Sequence, residues 1–177
     1  MNDKKQLSFE FNPERCVQCH ACETACKCEH DLEPGIQWRK VLSIWDGEFP
    51  DVKNKGLSLS CMHCADPACV AACPSDAIYK REEDGAVLVD KEKCTGCRTC
   101  FSACPVDIPQ FGTDEKMQKC DLCIDRLGNG GEPACVATCV SGALCLITVD
   151  GSKKEKSEKA FYEMLKPFML AQDEMKA

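Results

Sequence analysis

The sequence predicts an α+β fold: two nested units of paired β–α–β halves, each organised by cysteines, with a helical tail at the C-terminus. Three observations carry this expectation. Of the 177 residues, 18 are cysteine, and 16 of these fall into four groups of four with a shared spacing. Between the second and third groups, residues 77–90 (AIYKREEDGAVLVD) hold two strand-like runs around an Asp84-Gly85 turn, a hairpin signal. Strand-like runs at 7–11 and 143–149 flank the first and fourth groups, where they can close an outer unit around an inner one.

Taken in order, the strand at 7–11 leads into the first group, Cys16, Cys19, Cys22 and Cys26 (CVQCHACETAC). The insert 31–55 carries both tryptophans, Trp38 and Trp45, and is expected to pack over the junction of the two units. The second group is Cys61, Cys64, Cys69 and Cys73 (CMHCADPACVAACP); the third, after the hairpin, is Cys94, Cys97, Cys100 and Cys104 (CTGCRTCFSACP). A short strand at 108–111 then returns past the cysteines, so residues 57–112 form a complete inner unit. Residues 1–56 and 113–150 supply the halves of the outer unit, the latter with Cys120, Cys123, Cys135 and Cys139 (CDLCIDRLGNGGEPACVATC). In the tail, 151–177, the side chains of Phe161, Met164, Leu165, Phe168 and Met169 share one helical side, and Pro167 kinks or divides the helix. Such a tail either packs on its own domain or docks a partner subunit.

Dense cysteine marks either a disulfide-stapled secreted protein or a metal-loaded one. Residues 1–11 contain no apolar run with a small-residue cleavage site and no twin arginine. No window approaches the roughly 18–20 apolar residues of a membrane helix. The expectation is a soluble, cytoplasmic protein with no direct membrane insertion, although export alongside a signal-bearing partner would leave the same sequence. In that reducing setting metal is favoured over disulfide. The formal charge of −7 comes with no basic run longer than the pair Lys153 and Lys154, so the counterion-release term for nucleic acid is missing. Aromatic residues make up only 6%, too few for a large aromatic core.

Each cysteine group opens with C-x2-C and closes with C-x3-C. The opening turn aims two thiolates at one point and folds backbone N–H groups toward sulfur. The last cysteine, one helical turn on, faces a neighbouring site. Only the gap inside varies, tightest in the first and third groups and longest in the fourth; the arrangement is that of bacterial ferredoxins, C-x2-C-x2-C-x3-C-P, whose fourth cysteine ligates the other cluster of a pair. Pro74 and Pro105 complete the pattern; Lys27 and Val140 depart from it. The fold is then two nested bacterial-ferredoxin-like two-cluster units. The fourth-ligand rule assigns Cys104 to Cys61, Cys64 and Cys69, and Cys73 to Cys94, Cys97 and Cys100. In the outer unit it assigns Cys139 to Cys16, Cys19 and Cys22, and Cys26 to Cys120, Cys123 and Cys135.

Competing readings are weaker on chemistry. CVQCH formally matches a c-type haem attachment site but is embedded in a longer cysteine run. Zinc accepts four thiolates but is usually held by two C-x2-C knuckles. His20, His30 and His63 read as solvated or hydrogen-bonding loop residues, and Cys28 and Cys145 as buried small hydrophobes. No Gly-rich phosphate loop or nucleophile–base pair stands out, so no catalytic residue is assigned.

The chain resembles the four-cluster iron–sulfur electron-transfer subunits typified by the B subunit of dimethyl sulfoxide reductase, with relatives in formate dehydrogenase, polysulfide and nitrite reductase, and hydrogenase complexes. The resemblance covers about residues 8–150. It includes GIQWRKV (35–41), LSLSCMHCADPACV (57–70), the hairpin 79–89, IPQF (108–111), KCDLCIDRL (119–127) and residues 133–137. It implies four [4Fe–4S] clusters and a non-catalytic role, relaying electrons to or from a large catalytic subunit. A further electron-donor subunit or ferredoxin is an additional partner. The short chain looks more like the small subunits of tungsten or molybdenum enzymes, including aldehyde oxidoreductase-type and benzoyl-CoA reductase-type complexes. The alternatives are a free-standing polyferredoxin, a hydrogenase or formate dehydrogenase subunit and, remotely, a zinc-organised adaptor.

Overall fold

In the computed structural model, which describes residues 5–150, 153–156, 158–159 and 161–162, strand β1 (Lys5–Phe11) leads through a 3-10 turn (Pro13–Arg15) into helix α1 (Ala21–Glu29). Strands β2 (Arg39–Asp46) and β3 (Lys53–Ser60) follow, then the one-turn helix α2 (Ala68–Ala71). After it come β4 (Ile78–Lys80), β5 (Val87–Val89) and helix α3 (Thr99–Ala103). The pair β6 (Gln110–Phe111) and β7 (Met117–Gln118) precedes helices α4 (Ile124–Gly128) and α5 (Ala134–Ala137) and the last strand, β8 (Leu144–Asp150). Among the described residues the strands form four antiparallel pairs: β1 with β8, β2 with β3, β4 with β5 and β6 with β7.

The pairing of β1 with β8 ties the two ends of the fold together over seven register positions, from Lys5 opposite Asp150 to Phe11 opposite Leu144. Alternation explains its placement. Leu7, Phe9 and Leu146 turn inward onto a core of Ala86, Leu88 and Leu122, while Cys145 faces outward and is exposed.

The predicted hairpin is present as β4 and β5. Its turn closes with Arg81 N–H on Ala86 O (2.8 Å) and Gly85 N–H on Arg81 O (3.2 Å). Asp84 Oδ1 also accepts from Ala86 N–H (2.9 Å). Strand β5 is covered on both sides. Val87 joins Ile78, Cys94, Cys100 and Met117 in one core, and Leu88 joins Leu122 in another. Full burial of one such aliphatic side chain contributes about 1.5–3 kcal/mol, which is why this short hairpin sits at the centre.

The insert differs from expectation. Instead of merely covering a junction, it forms β2, which pairs with β3 across all eight positions from Arg39–Ser60 to Asp46–Lys53. Leu42, Ile44 and Leu59 pack with Leu57 and Val106. The overlooked signal was the Asp46-Gly47 dipeptide, where Gly47 adopts φ 90° in space that a Cβ would share with Asp51 O at 2.4 Å. As a result β3 and β6, which lie at the two ends of the expected inner unit, do not pair with each other. Strand β2 offers β3 eight partners, whereas β6 has two residues and pairs with β7. Trp38 does reach an internal junction: its ring centroid is 4.5 Å from that of His30, and its Nε1–H donates to Gln118 Oε1 (3.0 Å). Trp45 is exposed on the hairpin.

The described part of the tail is helical and packs on its own domain. Lys154 Nζ donates to Leu7 O (2.9 Å), the Glu158 carboxylate accepts from Ala65 N–H, and Phe161 and Tyr162 join the Leu57–Val106 core. The remainder of the expected apolar helical side, Met164, Leu165, Phe168 and Met169, together with Pro167, lies outside the described residues. No described helix is long and apolar enough to cross a membrane.

The turn at Gly85 yields a stability prediction. Its φ is 71°, and a Cβ there would fall 2.4 Å from Gln6 Cγ. Gln6 is buried, and its amide donates to His63 O. Gly85→Ala therefore combines backbone strain with the loss of buried hydrogen bonds, expected to cost about 2–3 kcal/mol. Gly130→Ala, also at positive φ but in open space, should cost clearly less. Anaerobic denaturation midpoints of the iron-loaded variants check the order.

Candidate metal centres

The four cysteine groups share a backbone signature that the spacing only hinted at. The residue before the second cysteine is left-handed in every group: Gln18 (φ 52°), His63 (47°), Gly96 (71°) and Leu122 (65°). Three of these are not glycine, and each such residue costs about 1–2 kcal/mol. The conformation turns backbone N–H groups back toward sulfur. His63 N–H points at Cys61 Sγ and Leu122 N–H at Cys120 Sγ, both at 3.5 Å. The third cysteine then occupies the second residue of a helix in every group: Cys22 in α1, Cys69 in α2, Cys100 in α3 and Cys135 in α5. The identical sequence PACVA builds both α2 and α5, with Pro67 and Pro133 as the capping residues.

The fourth cysteines separate the groups. After Cys73, Cys104 and Cys139 a left-handed residue follows at the third position, namely Asp76, Asp107 and Gly142. The loop so formed folds backbone N–H groups around sulfur: Ser75, Ala77 and Ile78 onto Cys73, and Ser141, Ala143 and Leu144 onto Cys139. Burial pushes these two thiols up, but the N–H groups outweigh it and both end below the ordinary range. Val140 in place of proline thus leaves the loop intact. Lys27 does not: α1 runs on past Cys26 to Glu29, and Cys26 lacks such a loop.

Cys61, Cys64, Cys69 and Cys104 line one small cavity together with Val87 and Lys119. Cys73, Cys94, Cys97 and Cys100 line a second with Phe111 and Met117. Cys26 lies within electrostatic reach of Cys123 and Cys135, and Cys120 of Cys135. For the remaining set the structure brings segments rather than sulfurs together: Asn12 N–H donates to Ala143 O (2.8 Å), and Gly142 lies against Arg15. All 18 thiols are free. Exposure also divides the groups by their second cysteine. Cys19 and Cys97 are exposed, Cys64 is half-buried and Cys123 is buried.

Two sequence expectations are corrected here. Cys28 and Cys145 are not buried; both are exposed. Cys22 and Cys26 share the inner face of α1, and Cys28, two residues further on, points away. Cys145 takes the outward position between Leu144 and Leu146 on β8. The histidines also differ from one another. His20 pairs with Glu23 (2.6 Å) at the surface. His63 is buried, with Nδ1 accepting from Val87 N–H (2.9 Å), so Nε2 carries the proton, and that nitrogen has no partner among the described residues. His30 places Nε2 3.3 Å from Cys123 Sγ and 3.5 Å from Asp121 Oδ1, a contact between α1 and α4 that spans 93 residues of sequence.

Burial dominates the acidity of the clustered thiols. It pushes Cys26 and Cys69 up to about 12, and Cys64, Cys100 and Cys123 up to about 11. Buried cations oppose it. Arg39, 2% exposed, pulls Cys22, Cys26 and Cys120 downward, and Lys119, 4% exposed, does so for Cys69. Among the described residues neither cation has a carboxylate ion pair, and Arg39 Nε and Nη2 have no hydrogen-bond partner. A buried charge without a counterion costs several kcal/mol. Thiolates bound to metal are the anions that this interior can offer, and an all-sulfur donor set suits iron–sulfur chemistry. The residues fit the cofactor.

Residues 52–149 match the family described as 4Fe–4S dicluster domain. The sequence is 40% identical over 164 residues to the B subunit of the anaerobic dimethyl sulfoxide reductase of Escherichia coli (strain K12), covering 88% of this protein and 80% of that one. It is 37% identical over 167 residues to the formate dehydrogenase iron-sulfur subunit of Wolinella succinogenes (81% and 82%). To the B subunit of the sulfite dehydrogenase of Allochromatium vinosum it is 34% identical over 186 residues (90% and 78%).

Because thiols pushed upward by burial must give up protons to bind metal, reconstitution of iron-free protein should release protons and yield less bound iron as the pH is lowered. Iron content after reconstitution across a pH series measures this; a yield independent of pH would contradict it. Iron-stripped protein should also lose its cooperative thermal transition, and a retained cooperative melt would count against that dependence.

Proposed function

The protein belongs to the 4Fe–4S dicluster domain family and its cysteines hold four [4Fe–4S] clusters; from that premise we propose that it is a non-catalytic electron-transfer subunit of a pterin-bearing molybdenum or tungsten oxidoreductase complex. The names of the similar proteins, which are those of dimethyl sulfoxide reductase, formate dehydrogenase and sulfite dehydrogenase, support that partner class. Aldehyde oxidoreductase-type and benzoyl-CoA reductase-type partners are narrower members of that class.

The observation that carries the relay reading is the division of the four groups by exposure. Cys19 and Cys97 bring two groups to the surface, while in the other two Cys64 is half-buried and Cys123 buried. Two surface sites for exchange and two interior sites for passage are what a relay between partners requires. When bound, the clusters supply one-electron exchange at potentials that the protein sets within roughly −700 to +450 mV. The protein's own part is to hold the thiolates, exclude water with the cores around Val87 and Leu57, and aim N–H groups at sulfur.

We assign the ligand sets as crossed: Cys61, Cys64, Cys69 with Cys104; Cys94, Cys97, Cys100 with Cys73; Cys120, Cys123, Cys135 with Cys26; and Cys16, Cys19, Cys22 with Cys139. The shared cavities and the neighbourhood of Cys26 support the first three, and the apposition of residues 12–15 with 142–143 supports the fourth. The pairing of β1 with β8 around β4 and β5 supports nesting of an inner unit (57–112) within an outer one (1–56 and 113–150).

Anaerobic purification is expected to yield about 16 iron per chain, four for each cluster, in a complex with a large subunit containing molybdenum or tungsten. Iron-loaded protein that elutes alone would instead indicate a free-standing carrier, and zinc without iron an adaptor. Cys26→Ala should perturb the cluster of Cys120, Cys123 and Cys135 in paramagnetic resonance spectra; loss confined to the cluster of the first group would refute the crossing.

A further inference from the structure

We propose that Arg39 is the internal countercharge of the two outer-unit sites and, acting through Ser58, a positioning residue for Cys22. The proposal rests on the reading above that the cysteines hold clusters. Arg39 opens β2, pairs in register with Ser60 and is nearly inaccessible to solvent. Its guanidinium lies over the Phe9 ring at 4.4 Å, and Nη1 donates to Ser58 Oγ at 2.9 Å. Nε and Nη2 have no hydrogen-bond partner among the described residues.

A guanidinium cannot shed its proton in a protein. If Arg39 served only to pack against Phe9, an apolar side chain of similar length would do so without burying an uncompensated charge. Sulfurs within the electrostatic reach of its charge include those of Cys22, Cys26 and Cys120. Cys22 belongs to the first group's site, and Cys26 and Cys120 to the fourth's. Ser58 extends that influence by contact. Because its oxygen accepts from Arg39, its own hydroxyl proton is free for Cys22 Sγ, 3.7 Å away. A positive charge and a hydrogen bond to ligand sulfur both favour the more negative, reduced state of a cluster. Arg39 should therefore hold the potentials of the two outer sites above the values they would otherwise have. The inner set of Cys73, Cys94, Cys97 and Cys100 lines a cavity whose wall does not include Arg39, so that site serves as an internal reference.

The test is potentiometric titration of the four-cluster protein followed by paramagnetic resonance, with signals assigned from the Cys19→Ser, Cys123→Ser and Cys97→Ser variants. Arg39→Met is expected to lower the midpoints of the first- and fourth-group sites and leave the Cys97 site unmoved. Arg39→Lys, which keeps the charge, should restore most of the shift. Ser58→Ala should lower the first-group site alone. Four clusters with unmoved midpoints in Arg39→Met would overturn the inference. If Arg39→Met loses iron, Ser58→Ala decides, and an unchanged first-group midpoint overturns the positioning role. A wild-type protein without iron–sulfur signals would overturn both this inference and the function beneath it; unmoved midpoints in a four-cluster protein overturn the inference only.

Discussion

The structure is governed by one conflict: its cysteine thiols must be buried close together and yet deprotonated to bind metal. Burial, with smaller contributions from neighbouring cysteines, pushes Cys26 and Cys69 up to about 12, where a free thiol stays protonated at neutral pH. Iron resolves the conflict, because a coordinated thiolate shares its charge with the metal. The chain assists with backbone N–H groups and with Arg39 and Lys119, whose burial makes little sense without anions nearby.

That conflict also accounts for the architecture. The hydrophobic cores are small, and cysteines sit within or beside two of them, as with Cys94 and Cys100 next to Val87 and Met117. The strands are arranged in pairs rather than in one broad sheet, and between them the loops repeat the same local conformation around cysteine. Each left-handed residue in a C-x2-C turn is strained when it is not glycine. His63 and Leu122 tolerate that strain because they are clamped in the interior, His63 by Val87 N–H and Leu122 by the core of Ala86 and Leu88.

The departures from the repeat are informative in the same way. The fourth group keeps its closing loop without proline because Gly142 supplies the left-handed turn. The first group has lost that loop, and α1 continues to Glu29. Longer α1 lets Lys27 donate to Glu33 O and Ile36 O and brings His30 to Cys123 and Trp38. Helix α1, running past Cys26 to Glu29, thus joins the first and fourth groups. The described part of the tail plays a comparable role for the second group, where Tyr162 places its hydroxyl 3.2 Å from Cys64 Sγ.

Local chemistry was legible in the sequence wherever spacing carries it. The four cysteine groups, the Asp84-Gly85 hairpin and the terminal strands could all be read because each depends on a local run of about 20 residues or fewer. Partnerships across longer separations could not. The eight-residue match of β2 with β3 was missed because apolar residues in the insert suit a covering loop as well as a strand. The outward aim of Cys28 and Cys145 required knowing which face of α1 and β8 is covered. Arg39 looked like one basic residue among 22; its burial beside Ser58 and Phe9 exists only once β1, β2 and β3 are packed together. The sequence alone determined what kind of atoms the chain gathers. Tertiary structure decided which thiols lie near a buried cation, which reach the surface and which stay enclosed, because burial and charge act through space and not along the chain.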